Sequence, residues 1–491
     1  MIRPGYLSVS RTPTLYKIIV MTTLSAPFLL LTISGLLIGM LTVPGASAQD
    51  HPDSEEIARY EKILLEGGHS EEFEEARLFL NRYYRSHVTN NEENVPDYKL
   101  PELLISDDGR VIESAEQWAD LRREEILKLF KENVYGKVPG FEYEMAFIER
   151  SADRQALGGL ATRKQVSIRF HQNGKELPEN LTIDLLIYLP NHTEGPVPAM
   201  MGLNFYGNQT IHPDDGIHLS TKWMRPNEDL GIIENRATEK SRGYYLDRWR
   251  VEDVVRRGYA LVTAYAGDIE PDDPSRMRQG VRYLAYGETG EPAADEWGTI
   301  AAWAWGLSRM LDYLETDDQI DYERVMLMGH SRLGKAALWA GATDERFAIV
   351  VSNNSGSGGA ALSRRRFGET VGVINTSFPH WFANNFNRYN GREDELPLDQ
   401  HMLLALIAPR PLYVASAKED LWADPEGEFQ SILWASPAYE LHGLEGLPVS
   451  ERPELNKPVM GSIGYHIRTG VHNVTAWDIE QYLNFADLHF N

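Results

Sequence analysis

Gly329, His330 and Ser331 form a Gly-x-Ser motif between a short apolar run and an alanine-rich stretch. Glycine permits the tight strand-to-helix turn that exposes a serine oxygen, and the helix N-terminus behind it offers backbone N–H groups to a developing oxyanion. The usual second glycine, two residues after the serine, is replaced by Leu333, and Gly334 comes one residue later. The motif predicts a nucleophilic serine, with helix capping by Ser331 as the structural alternative.

An acid and then a histidine follow a serine of this kind along the chain. Asp420 comes shortly after the apolar run 412–415. Because a carboxylate just beyond the carboxyl end of a strand can face the active-site edge of a sheet, we predict that Asp420 is the acid. Glu419 and Asp424 remain alternatives.

His472 is the predicted general base. It follows Gly470 in a segment that leads into a predicted C-terminal helix beginning near Thr475. A neutral imidazole on such a loop can reach over the sheet edge toward Ser331. His466 is the competing candidate, for which we expect a structural role.

Short, continuous apolar runs predict the strands that position these residues, and they lie at 199–205, 259–265, 325–328, 347–351 and 412–415. Helical spacing of the apolar residues between 300 and 314 predicts a helix between two of these strands. Strands buried on both faces that alternate with helices indicate an α/β three-layer sandwich with a mostly parallel central sheet. Alternating apolar residues at 166–170 and 183–189 predict antiparallel strands that lead into this sheet.

The chain begins with the pattern of a secretory signal peptide. Residues 1–48 carry three basic residues and no acidic residue, followed by a nearly continuous apolar stretch and an Ala-Ser-Ala end. We predict cleavage before Gln49 and hence an exported, periplasmic or extracellular protein, with an uncleaved membrane anchor as the alternative. Residues 49–134 are predicted to be a helical flank without a chemical motif, and residues 135–491 the catalytic domain.

The composition excludes several classes of protein. The 491 residues include no cysteine, so a disulfide framework, a cysteine nucleophile and a cysteine-bound metal or cluster are all excluded. The formal charge of −24 argues against a nucleic-acid partner, since phosphate contact needs a basic surface. The hydrophobic fraction of 42% is that of a packed globular protein.

Several long stretches resemble the glucuronoyl esterases, which are carbohydrate esterases of the α/β-hydrolase class. The matching stretches are 329–335 (GHSRLGK), 352–365, 366–369, 396–411 (LPLDQHMLLALIAPRP), 415–425 and 464–478, with a looser match at 202–208. Enzymes of this family cleave the ester between 4-O-methyl-glucuronate on xylan and alcohol groups of lignin. The resemblance therefore implies an α/β-hydrolase fold and a glucuronate ester as the substrate.

The resemblance also implies a role for individual residues. Ser331 would be the nucleophile and His472 the general base, while the permanently charged Arg332 would help to bind the oxyanion. Lys335 and Glu369 would bind sugar hydroxyl groups. Trp422 would provide an aromatic face on which the sugar ring stacks.

One segment departs from a branch of this family whose members carry a glutamate after the strand that follows the nucleophile helix. Here the segment contains Asn353 and Asn354, and an amide cannot stabilise an imidazolium as a carboxylate does. The acid role therefore falls to Asp420, the position usual in α/β-hydrolases. The resulting acyl transfer needs no metal and no organic cofactor, and we predict neither.

The leading hypothesis is a secreted serine esterase that hydrolyses esters of (4-O-methyl-)D-glucuronic acid. The alternatives are an acetyl or feruloyl xylan esterase with the same triad, and a non-catalytic carbohydrate-binding protein on the same scaffold. We expect a small-molecule or polysaccharide substrate such as glucuronoxylan–lignin esters and no nucleic-acid partner. We also expect no membrane contact after signal removal, and a monomer.

Overall fold

The computed structural model of the chain describes residues 54–175, 177–178 and 181–490. The predicted signal peptide at 1–48 lies outside these residues. Within the described part of the chain, no helix combines the length and the apolar character needed to cross a bilayer.

A single mixed sheet forms the centre of the described structure. The strands are β1 (Glu144–Ala156), β2 (Ala161–His171), β3 (Thr182–Pro190), β4 (Val197–Asn204), β5 (Ile232–Ile233), β6 (Arg236–Ala237), β7 (Ala260–Tyr265), β8 (Ile320–His330), β9 (Ile349–Asn353), β10 (Leu412–Ala417), β11 (Val459–Met460) and β12 (Ile463–Arg468). The sheet order is β1-β2-β3-β7-β4-β8-β9-β10-β12-β11, while β5 and β6 pair separately. Neighbours from β7 to β12 are parallel, and β1, β2 and β3 lead antiparallel into β7.

Helices cover both faces of this sheet. They are α1 (Ser54–Glu66), α2 (Glu71–Arg85), α3 (Ala115–Gln117), α4 (Arg123–Asn133), α5 (Leu246–Trp249), α6 (Val251–Arg256), α7 (Ala266–Ile269), α8 (Tyr283–Tyr286), α9 (Thr299–Leu314), α10 (Arg332–Thr343), α11 (Val371–Ser377), α12 (Gln400–Ala405), α13 (Pro425–Glu440) and α14 (Ala476–Phe490). The predicted strands at 199–205, 259–265, 325–328, 347–351 and 412–415 correspond to β4, β7, β8, β9 and β10, and the predicted helix corresponds to α9.

Successive residues of the central strands alternate between two hydrophobic layers. In β8, Leu327 packs in the layer formed with α9, α10, α12 and α13, whereas Met326 packs in the layer formed with α6 and α14. In β9, Val350 packs in the same layer as Leu327, and Val351 packs in the same layer as Met326. Both faces of each strand are therefore buried, which explains the continuous apolar runs in the sequence. The predicted α/β three-layer sandwich is confirmed, and it is the α/β-hydrolase fold.

The helical flank begins with a hairpin of α1 and α2. Gly67 and Gly68 separate the two helices with φ values of 73° and 116°, which glycine adopts without steric cost. Ser70 caps α2 by accepting a hydrogen bond from the Phe73 N–H group at 3.1 Å. The apolar face of the hairpin packs on α11 through Tyr60, Leu64, Phe73, Ala76, Leu80, Tyr84 and Val373.

The strand β12 was not predicted from the sequence. His466 and Arg468 alternate with apolar residues there, yet all the residues of β12 are buried. Their charge and polarity are satisfied by Asp478 at the start of α14, which accepts hydrogen bonds from His466 Nε2 at 2.9 Å and from Arg468 Nε at 2.8 Å. Asp478 also accepts from the Thr475 N–H group at 2.7 Å. This buried cluster therefore joins both ends of the segment 469–475, which carries His472.

Asp478→Ala should lower the free energy of unfolding by about 3–5 kcal/mol, because it leaves the buried Arg468 charge without its partner. Chemical denaturation followed by fluorescence measures the change. Glu454→Gln is the matched control, since Glu454 pairs with Lys457 on an exposed surface and its loss should change stability little. Equal stability of the two variants would contradict the role assigned to the cluster.

Candidate active site

Ser331 lies in the turn between β8 and α10. Its backbone has φ 57° and ψ −131°, a conformation that residues with a side chain rarely adopt. Gly329 is required before it, since a Cβ there would collide with the Leu333 carbonyl in the first turn of α10. The Ser331 N–H group donates to the Asn353 carbonyl at the end of β9 at 2.9 Å. The turn therefore has the geometry of a nucleophile elbow.

His472 and Asp420 form a close pair beside this turn. His472 Nδ1 lies 2.5 Å from Asp420 Oδ2, and the His472 ring centroid is 4.6 Å from that of His330, the residue before Ser331. Asp420 is buried, while the His472 side chain is 42% exposed. With Nδ1–H directed at the carboxylate, Nε2 is the nitrogen that can accept a proton.

The alternative candidates are engaged elsewhere. Glu419 is exposed, and Asp424 accepts from Arg365 Nε at 2.8 Å while it caps α13. His466 is fully buried and accepts a hydrogen bond from Tyr413 OH at its Nδ1, 2.9 Å away. The structure thus brings Asp420 to His472, and it places His466 between Tyr413 and Asp478.

Asn353 and Asn354 both contact residues of the site. Asn354 Nδ2 donates to Asp420 Oδ2 at 2.9 Å. Asn353 Oδ1 lies 2.6 Å from His330 Nδ1, and burial lowers the pKa of His330 well below its ordinary value, with the nearby His472 contributing in the same direction. His330 is therefore neutral, so that it donates through Nδ1–H to Asn353.

Arg332 is held by a carboxylate that no sequence pattern indicated. Arg332 Nε lies 3.0 Å from Asp272 Oδ2, and the guanidinium lies over the ring of Phe205 at 4.7 Å. Asp272 also accepts from Trp381 Nε1 at 2.8 Å and pairs with His380 Nε2 at 2.9 Å. Burial alone would raise the pKa of Asp272, but the charge of Arg332 and these hydrogen bonds lower it below its usual range. In the sequence Asp272 is one of several neighbouring acids, and nothing marks it out.

A further group of side chains lies near Arg332 and consists of Lys335, Glu369 and Trp422. Lys335 is 4% exposed and its Nζ donates to the Ser355 carbonyl. Burial lowers the pKa of Lys335, and Glu369 opposes this effect. Burial likewise raises the pKa of Glu369, which the charge of Lys335 and a hydrogen bond from Trp422 oppose. The hydroxyl groups of a ligand can accept a hydrogen bond from Lys335 and donate one to Glu369, and they add no charge to the site.

The helical flank contributes a residue to this region. The Arg85 guanidinium at the end of α2 lies 5.3 Å from the centre of the Trp422 ring. It is braced by Asn81 Oδ1 at 3.0 Å and by Ser377 Oγ at 3.1 Å. The flank showed no chemical motif in the sequence, because a single arginine on a charged helix gives no signal. Among the described residues, no cluster of three or more histidine, aspartate or glutamate side chains is placed to hold a metal ion.

The fold and the elbow together define the α/β-hydrolase class. A sequence model described as "Glucuronyl esterase, fungi" matches residues 249–443. A carbohydrate esterase from an unknown prokaryotic organism is 51% identical over 401 residues, which are 81% of this chain and 91% of that protein. The chain belongs to the glucuronoyl esterase family and is a carboxylic ester hydrolase, so the resemblance predicted from the motifs is confirmed.

Two solved structures support the same assignment. A promiscuous CE15 esterase from a marine bacterial metagenome is 51% identical with a TM-score of 0.76, over 82% of this chain and 100% of that one. A glucuronoyl esterase from Solibacter usitatus is 47% identical with a TM-score of 0.76, over 81% of this chain and 100% of that one.

Gly329→Ala should slow the reaction of Ser331 with a fluorophosphonate by about 100-fold, because the collision with the backbone of α10 displaces the serine oxygen. The rate of covalent labelling, followed by intact-protein mass spectrometry, measures the effect. Gly140→Ala is the control, since a Cβ at Gly140 meets nothing within 4 Å. An unchanged labelling rate in Gly329→Ala would show that the turn tolerates a side chain there.

Proposed function

We propose that this chain hydrolyses esters of (4-O-methyl-)D-glucuronic acid, such as those that join glucuronoxylan to lignin, with Ser331, His472 and Asp420 as the catalytic triad. The observation that carries the proposal is the 2.5 Å contact between His472 Nδ1 and Asp420 Oδ2 beside the elbow. Relatives named 4-O-methyl-glucuronoyl methylesterase, among them one from Schizophyllum commune, support the substrate.

The first half of the reaction acylates Ser331. Its oxygen attacks the uronate carbonyl while His472 Nε2 takes the proton, and the Asp420 carboxylate stabilises the imidazolium that forms. The hydrogen bond from Asn354 to Asp420 keeps that carboxylate oriented toward His472. The alcohol then leaves with the proton from His472.

Arg332 and backbone N–H groups at the start of α10 stabilise the tetrahedral oxyanion. A donor of this kind is effective when it is positioned before charge develops, because no reorganisation is then needed during the reaction. Asp272 positions the guanidinium through Nε, and the Phe205 ring supports its face. In the second half of the reaction, water activated by His472 hydrolyses the acyl-enzyme and releases Ser331.

Recognition of the sugar is assigned to Lys335, Glu369 and Trp422. Lys335 and Glu369 carry opposite charges in a largely buried setting. A hydroxyl group of a pyranose ring can accept a hydrogen bond from Lys335 or donate one to Glu369, and it brings no charge of its own. Trp422 keeps 38% of its surface exposed and offers a face for stacking. The esterified carboxyl group of the substrate is uncharged, so the acidic protein does not repel it.

The proposal includes export and a single catalytic domain. The basic start, apolar stretch and Ala-Ser-Ala end of residues 1–48 support a cleaved leader and a periplasmic or extracellular location. We assign residues 49–134 to the helical flank and residues 135–491 to the catalytic domain. We propose that the enzyme acts as a monomer, since His472 and Asp420 of the same chain pair directly beside Ser331.

Asp420→Asn should lower kcat by about 10³–10⁴-fold, because the amide does not stabilise the imidazolium and can hold His472 in the wrong tautomer. Initial rates with benzyl glucuronate at saturation measure the change. Glu419→Gln is the control and should keep nearly full activity, since Glu419 is exposed. If Asp420→Asn kept near-normal turnover while Glu419→Gln or Asp424→Asn lost it, the residue whose substitution lowers turnover would be the acid of the triad.

Benzyl glucuronate should be hydrolysed at least about 10-fold faster than its galacturonate epimer at equal concentration, because Lys335 and Glu369 fit one arrangement of hydroxyl groups. Ser331→Ala should abolish both reactions. Release of acetate from acetylated xylan, or of ferulate from feruloylated xylan, at a higher rate than glucuronate hydrolysis would favour an acetyl or feruloyl esterase. Hydrolysis that persists in Ser331→Ala would refute the triad.

A further inference from the structure

Arg85 belongs to the helical flank, yet it lies at the edge of the proposed sugar site. It is exposed at the end of α2, and its guanidinium lies over one face of the Trp422 ring, 5.3 Å from the ring centre. Trp422 is 38% exposed and Glu369 is partly exposed. The Glu369 N–H group donates to the Trp422 carbonyl at 3.1 Å. Residues from three distant parts of the chain therefore meet where a ligand can reach them.

Three polar residues of α2 fix this helix on the end of α11. Arg77, Asn81 and Arg85 are four residues apart, so they lie on one face of α2. Arg77 Nη1 donates to the Thr376 carbonyl at 2.7 Å, and Asn81 Nδ2 donates to Thr376 Oγ1 at 2.9 Å. Arg85 Nη2 donates to Ser377 Oγ at 3.1 Å. These contacts hold α2, and Arg85 with it, in a fixed position relative to α11.

The flank also contacts the chain on both sides of Glu369. On one side α11 begins two residues after Glu369, and a Cβ at Gly372 would lie 2.6 Å from the Tyr84 ring, so α2 and α11 approach each other closely. On the other side the Thr89 carbonyl accepts the N–H group of Gly368 at 2.9 Å. The segment that carries Glu369 is therefore built against the flank.

Arg85 is held by neutral partners, unlike the arginine two turns earlier. Its Nε donates to Asn81 Oδ1 at 3.0 Å and its Nη2 to Ser377 Oγ at 3.1 Å, whereas Arg77 pairs with Glu74 at 2.7 Å. Neutral acceptors do not cancel the charge of a guanidinium. The charge of Arg85 can therefore act on an aromatic ring and on a nearby carboxylate.

The nearby carboxylate is Glu369, to which the sugar site assigns the role of hydrogen-bond acceptor. Burial raises the pKa of Glu369, while the charge of Lys335, a hydrogen bond from Trp422, and the charges of Arg85 and His472 oppose this. These positive groups come from α10, from α2 and from the segment 469–475. Arg85 is the one that the flank supplies.

We propose that Arg85 is a positioning residue of the sugar site, which holds the Trp422 ring in the orientation that binds the glucuronate ring. The guanidinium covers one face of the indole, and the sugar stacks on the other face. The proposal rests on the proposed function for the identity of the sugar. It adds that the helical flank takes part in substrate binding, although it carries no chemical motif.

Steady-state kinetics with benzyl glucuronate tests this role. Arg85→Ala should raise KM about 5-fold and change kcat less than about 2-fold, because Arg85 contacts groups that bind the sugar and none that react. Arg85→Lys keeps the charge but loses the planar group that meets both Asn81 and Ser377, so its KM should fall between those of Arg85→Ala and the wild type.

Arg82→Ala is the matched control, since Arg82 is exposed on the same helix one turn earlier. Both its KM and its kcat should stay at the wild-type values. A general loss of folding in Arg85→Ala would lower the apparent kcat through the active fraction and leave KM unchanged, which is the opposite of the expected result.

A double-mutant cycle with Trp422→Ala tests whether Arg85 acts through the ring. In the Trp422→Ala background, Arg85→Ala should change KM by less than about 2-fold, because the ring that it holds is absent and only its charge on Glu369 is lost. The role is overturned if Arg85→Ala and Arg82→Ala have the same KM, if Arg85→Ala lowers kcat as much as it raises KM, or if the full effect on KM persists without Trp422. Failure of the wild type to hydrolyse benzyl glucuronate would overturn the proposed function and this inference with it, whereas the other outcomes leave wild-type activity intact.

Discussion

The backbone of Ser331 is the constraint around which the site is built. Its φ of 57° costs a residue with a side chain about 1–3 kcal/mol, and it persists only where the surroundings hold it. Here β8 and α10 are each packed into hydrophobic layers, and the Asn353 carbonyl holds the Ser331 N–H group. The turn cannot relax without moving a central strand or its helix, so the serine oxygen stays outside the sheet edge.

The other groups of the site are each held by a carboxylate with little solvent exposure. Asp272 holds Arg332, Asp420 holds His472, and Asp478 joins β12 to α14 beneath the segment that carries His472. Loss of one of these partners leaves a largely buried carboxylate without the group that pairs with it, which is costly in a setting of low dielectric. The geometry of the site therefore depends on the same contacts that stabilise the last strand and helix of the fold.

The local features of the site were predictable because they depend on consecutive residues. The Gly-x-Ser turn, the apolar strand before it and the alanine-rich helix after it are all read within short windows, whereas the acid and the histidine were predicted from their order along the chain. Strands buried on both faces gave continuous apolar runs, so the mostly parallel sheet could be predicted. β12 was missed because His466 and Arg468 made it look exposed, whereas Asp478 in the next helix satisfies both.

By itself the sequence determined the class of fold, the nucleophile turn and the family, since these rest on local pattern and on long matching stretches. Only the tertiary structure brought Asp420 rather than Glu419 or Asp424 to His472, paired Asp272 with Arg332, and laid Arg85 over a tryptophan far along the chain. The physical reason is that a hydrogen bond or an ion pair depends on distances of a few ångströms, which the order of strands in the sheet sets and which no spacing along the chain encodes.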